Sequence, residues 1–148
     1  LTAQQKAVQQ FEGTVDKYIG DAMMAFWNAP FPQENHENLA VSCALQIIEN
    51  MKELNKQLVI EGLSEIAIGI GINTGEAVIG NMGSETRFDY TAIGDAVNTA
   101  ARFESATKEQ NATLLIGEST AGKSLRDLKW LNEISVKGKE TKLQVFTV

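Results

Sequence analysis

Three places in the chain carry residue types able to do chemistry. Residues 95–107 read as a helix in which Asn98, Arg102 and Ser105 share one narrow stripe, while Ala96, Val97, Ala100, Ala101 and Phe103 occupy other faces. A polar stripe is ordinarily a solvated helix face. Arg beside Asn is a more specific choice, because a planar cationic donor next to an amide suits phosphate and sugar oxygens. The second place is Gly20-Asp21, a tight-turn dipeptide between two β-prone stretches, 14–19 and 22–27, which puts Asp21 at or near a hairpin tip. The third is Gly117 to Ser124, which fits the phosphate-loop pattern G-x-x-x-x-G-K-[ST] with a strand-like Leu114 to Ile116 before it. Such a loop needs further βα units and a metal-binding Asp on a later strand, and too little chain follows Ser124. A strand running into a short amphipathic helix is the expectation there. Gly69, Gly71 and Gly75 miss the spacing of a dinucleotide fingerprint.

Composition removes other chemistries. His36 is the one histidine and Cys43 the one cysteine, so a Cys/His zinc site and an internal disulfide are excluded. The 148 residues suit one domain, and 43% hydrophobic with 22% charged residues describes a globular chain. A formal net charge of -6 opposes broad adhesion to a nucleic acid polymer or an anionic membrane, while leaving room for a local basic pocket around one phosphate ligand. Apolar runs fall well short of the roughly 20 residues of a spanning helix, and no signal peptide opens the chain. A cytoplasmic domain without membrane contact by this segment is expected.

These residues need elements to hold them. Helix formers over 1–11 start without a cap, as the tail of a longer helix would. After the 14–19 and 22–27 hairpin, residues 28–35 with both prolines form a loop. Apolar residues at helical spacing (Leu39, Ala40, Cys43, Ile47, Met51, Leu54, Leu58) predict a long helix over about 36–59. Residues 66–72, IAIGIGI, read as a buried strand whose glycines permit close packing. Strand character continues over 76–79, a turn is expected at 81–84, and a strand at 87–92. Asp95 is the expected N-cap of the 96–107 helix. Strands at 113–116, 130–136 and 143–148, with a short helix near 119–124, complete an α+β arrangement of helices packed on a sheet.

Taken together, FEGTVDKYIGDAMMAFWNAP (11–30), IGIGINTGEAVIGNMGSETRFDYTAIGDAVNTAARFE (68–104) and ISVKGKE (134–140) resemble the catalytic domain of class III nucleotide cyclases. The resemblance covers nearly all of residues 1–148 and rests on three separated motifs in the right order. It implies a ferredoxin-like sandwich, with a mixed, mostly antiparallel sheet and helices packed on it. It also implies active sites at the interface of a head-to-tail homodimer. By resemblance, Asp21 matches the hairpin-turn metal aspartate, Lys17 the lysine that meets adenine N1, and Thr91 its partner in base recognition. Asn98 matches the residue that orients the ribose, Arg102 the one that stabilises the α-phosphate in the transition state, and Lys137 the one that reaches the terminal phosphates. Residues 81–90 resemble the hairpin arm that wraps the partner chain.

The implied activity is conversion of ATP to 3′,5′-cyclic AMP and pyrophosphate, with two Mg²⁺ or Mn²⁺ ions in the intact family site. A lysine ammonium has three donors and no acceptor, so it suits the bare N1 of adenine and opposes the N1–H of guanine. Guanylate cyclase is the close alternative. A non-catalytic cyclase-like module that dimerises or regulates is the alternative of another class. The chain departs from the family twice. Thr91 stands where many ATP-using members have Asp, and the Asp-bearing first strand, with part of the first helix, has no counterpart. Asp16, inside V-D-K, does not match that metal role. By itself the 148-residue chain is therefore expected to show negligible turnover and to self-associate.

Overall fold

The computed structural model describes residues 2–84, 87–135 and 142–148. In chain order the elements are α1 (Thr2–Gln10), β1 (Thr14–Ile19), β2 (Ala22–Phe26), α2 (His36–Ile60), β3 (Ile70–Ile72), β4 (Val78–Ser84), β5 (Arg87–Ile93), α3 (Asp95–Ala106), β6 (Leu114–Gly117), α4 (Glu118–Ala121), β7 (Lys129–Ile134) and β8 (Leu143–Thr147). Their strands fall into two hairpins, β1-β2 and β4-β5, and a four-stranded sheet ordered β3-β6-β8-β7. Among the described residues only the β3–β6 pair is parallel, so the mixed, mostly antiparallel α+β expectation holds.

The helices cover the four-stranded sheet because their apolar faces have nowhere else to go. Phe103 and Ala106 of α3 pack on Leu115, Ile134 and Val145. Val41 and Ala44 of α2 pack on Leu114 and Ile116, while Cys43 and Ile47 meet Ala7 and Val8 of α1. Each large side chain buried this way contributes about 1.5–3 kcal/mol. Gly71 makes the closest approach possible: a Cβ there would press into the Ala100 carbonyl and the Glu104 nitrogen of α3. The helix that carries Asn98 and Arg102 is thereby seated directly on β3.

Several expectations change. Of residues 66–72 only Ile70–Ile72 pair in a ladder; the Asn55 carboxamide takes both backbone groups of Ile66, at 2.8 and 3.0 Å, as a neighbouring strand otherwise would. No turn forms at 81–84. β4 runs through it, paired with β5 from Val78↔Ile93 to Ser84↔Arg87, which makes this segment the hairpin arm instead. Gly94, not Asp95, occupies the N-cap of α3, and Asp95 begins the helix, where a negative charge suits the dipole. Full burial along α2 ends at Ile47, and Leu54 is exposed.

Candidate active site

The base-recognition candidates meet where β1 touches β5. β1 carries a bulge: Val15 pairs with Ala25 and Lys17 with Met24, leaving Asp16 as the extra residue. A bulge re-aims side chains, and here it turns Asp16 inward until its side chain is 2% exposed. Asp16 Oδ2 accepts from Thr91 Oγ1 at 2.9 Å and from the Ala92 backbone nitrogen at 3.0 Å. Lys17 Nζ donates to the same Thr91 oxygen at 3.0 Å and lies 3.8 Å from Asp16 Oδ1. The Phe26 and Tyr90 rings, 5.9 Å apart and tilted by 54°, hold β2 against β5 beside this corner.

Lys17 and Thr91, named from the sequence, are thus brought together. Asp16 was missed, for a clear reason. Adjacent residues of a regular strand point to opposite faces, so nothing in V-D-K says that Asp16 and Lys17 reach one hydroxyl. The bulge puts them there. The donor count is informative: the ammonium spends one donor on Thr91 and keeps others for a ligand, while the threonine oxygen keeps a lone pair.

The phosphate-side candidates are more open. Gly20, at φ +62°, allows the tight turn that carries an exposed Asp21. Asn98 is exposed on α3, opposite the buried Thr99, Phe103 and Ala106, and the Arg102 side chain is 29% exposed with Nη2 3.6 Å from Glu109 Oε2. Ser105, third in the stripe, returns its hydroxyl to the Ala101 carbonyl at 3.2 Å and is structural. Lys137 lies outside the described residues. Among the described residues no group of three or more His, Cys, Asp or Glu could hold a metal ion. Asp21 supplies a single carboxylate, short of such a group.

The phosphate-loop match proves structural. Gly122, Lys123 and Ser124 donate their backbone N–H groups to the carbonyls of Glu118, Thr120 and Ala121, so these three donors are already used within the chain. Lys123 is exposed and lines an open cleft of about 940 Å³ between α3 and α4, which none of the described site candidates lines. Cys43 is equally uninvolved: burial pushes its thiol up to about 11.

The α+β sandwich thus sets a lysine–threonine pair at a hairpin junction and Asn98 and Arg102 on the next helix. The adenylate and guanylate cyclase catalytic domain model matches residues 4–148, and the chain belongs to that family. It is 33% identical over 145 residues to adenylate cyclase 1 of Rhizobium meliloti, covering 97% of this chain and 22% of that protein. With the adenylate cyclase of Anabaena cylindrica it shares 33% over 159 residues, covering 100% and 30%. The chain therefore spans less than a third of these curated relatives. Among solved structures, the adenylyl cyclase CyaB from P. aeruginosa superposes with a TM-score of 0.89 at 34% identity, covering 98% of this chain and 76% of that one. The guanylyl cyclase Cya2 superposes at 0.83 with 28% identity, covering 97% and 73%. No helix among the described residues is long and apolar enough to cross a membrane.

Proposed function

We propose that this domain makes 3′,5′-cyclic AMP and pyrophosphate from ATP as a cytoplasmic homodimer, with Mg²⁺ or Mn²⁺ as the cofactor. The observation that carries the reading is the 3.0 Å hydrogen bond from Lys17 to Thr91, between residues 74 apart in the chain. It presents a donor for adenine N1 beside an acceptor for the 6-amino group. Asn98 orients the ribose so that its 3′-oxygen faces the α-phosphorus. That oxygen forms the new P–O bond, its proton leaves, and the bond to pyrophosphate breaks. Arg102 meets charge that builds on the α-phosphate oxygens, where a fixed donor acts mostly on the transition state. Lys137 is assigned to the terminal phosphates, and Asp21 would supply one carboxylate ligand to the cation.

The dimer reading is supported by exposed apolar side chains on the strands around this corner. Ile19 is 60%, Val78 67% and Ile93 52% exposed, and Val78 stands directly opposite Ile93. Such a patch favours a second surface over water. Light scattering after size exclusion should find a dimer weakened by Val78→Asp; a monomer at every concentration would sink the assembly.

Activity is tested by a cyclic AMP assay with Mn²⁺, on the chain as it stands and on the chain preceded by a family-type Asp-bearing first strand. ATP turnover is expected once that strand is present. Silence in both, with the fold intact by circular dichroism, would refute the reading. Turnover of GTP alone would make it a guanylate cyclase.

A further inference from the structure

We propose that Asp16 is a positioning residue that sets base selectivity by fixing the direction of the Thr91 hydroxyl. A threonine hydroxyl is ambivalent, since it rotates to donate or to accept as its partner requires. A 6-amino purine wants an acceptor opposite its amino group, whereas a 6-oxo purine wants a donor opposite its carbonyl. Left free, Thr91 would serve both bases.

Asp16 removes that freedom. Its Oδ2 takes the hydroxyl's one proton at 2.9 Å and is itself held by the Ala92 N–H at 3.0 Å, so the acceptor cannot swing away. The remaining lone pairs of Thr91 are left for Lys17, at 3.0 Å, and for one further donor. Both ends of the relay are sheltered from water: Thr91 is 5% exposed and the Asp16 side chain 2%. A solvent molecule cannot easily replace the carboxylate, and the polarity of the base-reading edge is built into the fold. Selectivity then comes from refusing the wrong partner as well as holding the right one.

This inference rests on the reading that Lys17 and Thr91 meet the base, and the experiment separates the two. The chain is titrated with 3′-deoxy-ATP and 3′-deoxy-GTP, which cannot cyclise, in the presence of Mn²⁺. Wild type should prefer 3′-deoxy-ATP. Asp16→Ala should shrink that preference by about tenfold, with 3′-deoxy-GTP gaining, the size of one lost hydrogen bond. Asp16→Asn should retain it within about threefold, because the amide oxygen can accept from both Thr91 and Ala92. In a Thr91→Val background, Asp16→Ala should no longer alter the preference.

Equal weakening of both nucleotides by Asp16→Ala would show a purely structural residue and overturn the proposal. A wild type without preference for 3′-deoxy-ATP would overturn the base-recognition reading itself, and the proposal with it. If Asp16→Ala does not fold, wild type alone decides by NMR. The Thr91 hydroxyl proton should exchange slowly and give a through-space cross-peak to the Ala92 amide proton, since both donate to one oxygen. A hydroxyl proton in fast exchange would overturn the assignment.

Discussion

The corner proposed to read the base and the groups proposed to meet the phosphates are built in opposite ways. At the corner, Asp16, Lys17 and Thr91 are interlocked across two hairpins, and two of the three side chains are almost wholly removed from water. By contrast, Asp21 on the β1-β2 turn and Asn98 on α3 are exposed, and Arg102 rests against a carboxylate that is itself 62% exposed. Under the proposed assignment, the sheltered Asp16–Thr91 pair would read the base within one protomer, and the exposed groups would be completed by what docks on them.

The sharpest test of this contrast is Arg102→Ala in the chain carrying an Asp-bearing first strand. Loss of a donor aimed at transition-state charge should lower kcat by about 10²–10³-fold, with the melting temperature almost unchanged because the side chain is not core. Steady-state kinetics beside thermal denaturation checks it. Normal turnover would reduce the α3 stripe to a solvated face. A comparable but selective effect belongs to the corner. Lys17→Glu should cut kcat/KM for ATP by at least about tenfold and shift preference toward GTP, since a carboxylate accepts where the ammonium donates. An equal loss for both nucleotides would break the contrast from the other end.

Smaller effects concern the scaffold. Gly71→Ala should destabilise the fold by about 1–3 kcal/mol, because the added methyl must displace the backbone of α3, and denaturant titration measures it. Lys123→Ala should leave ATP affinity within about twofold by calorimetry, since the backbone donors beside it are already used in α4 and its following turn. Smallest of all, Cys43 should resist iodoacetamide near pH 8. Its folded pKa, raised by burial to about 11, keeps the neutral thiol. That preference stabilises the fold below the ordinary thiol pKa and is lost as pH rises through about 11, so labelling should accelerate there or on unfolding.

Elements with strong local signals were legible in the residues themselves. The Gly20-Asp21 hairpin and the front half of α2 follow from turn chemistry and apolar spacing, which act within a few residues of chain. The polar stripe of α3 is legible for the same reason. The 81–84 segment was not, because Asn-Met-Gly-Ser has turn-like composition while its cross-strand partners, residues 87–90, decide the outcome. Residues 66–69 fail as a ladder for the reverse reason: their composition favours a strand, and the backbone groups of Ile66 are taken by a side chain of α2.

The sequence by itself determined the family, through three ordered motifs. It also named Lys17, Thr91, Asn98, Arg102, Asp21 and Lys137 as the residues to examine. That the phosphate-loop pattern is inert was already expected from the sequence, and tertiary structure adds that three of its backbone donors bond within α4 and its following turn. It alone decided that Asp16 belongs to the corner. A one-residue bulge reverses which face a side chain takes, and the hydroxyl it reaches lies 75 residues away. Periodicity cannot report either fact, because the first breaks the period and the second depends on two hairpins meeting in space.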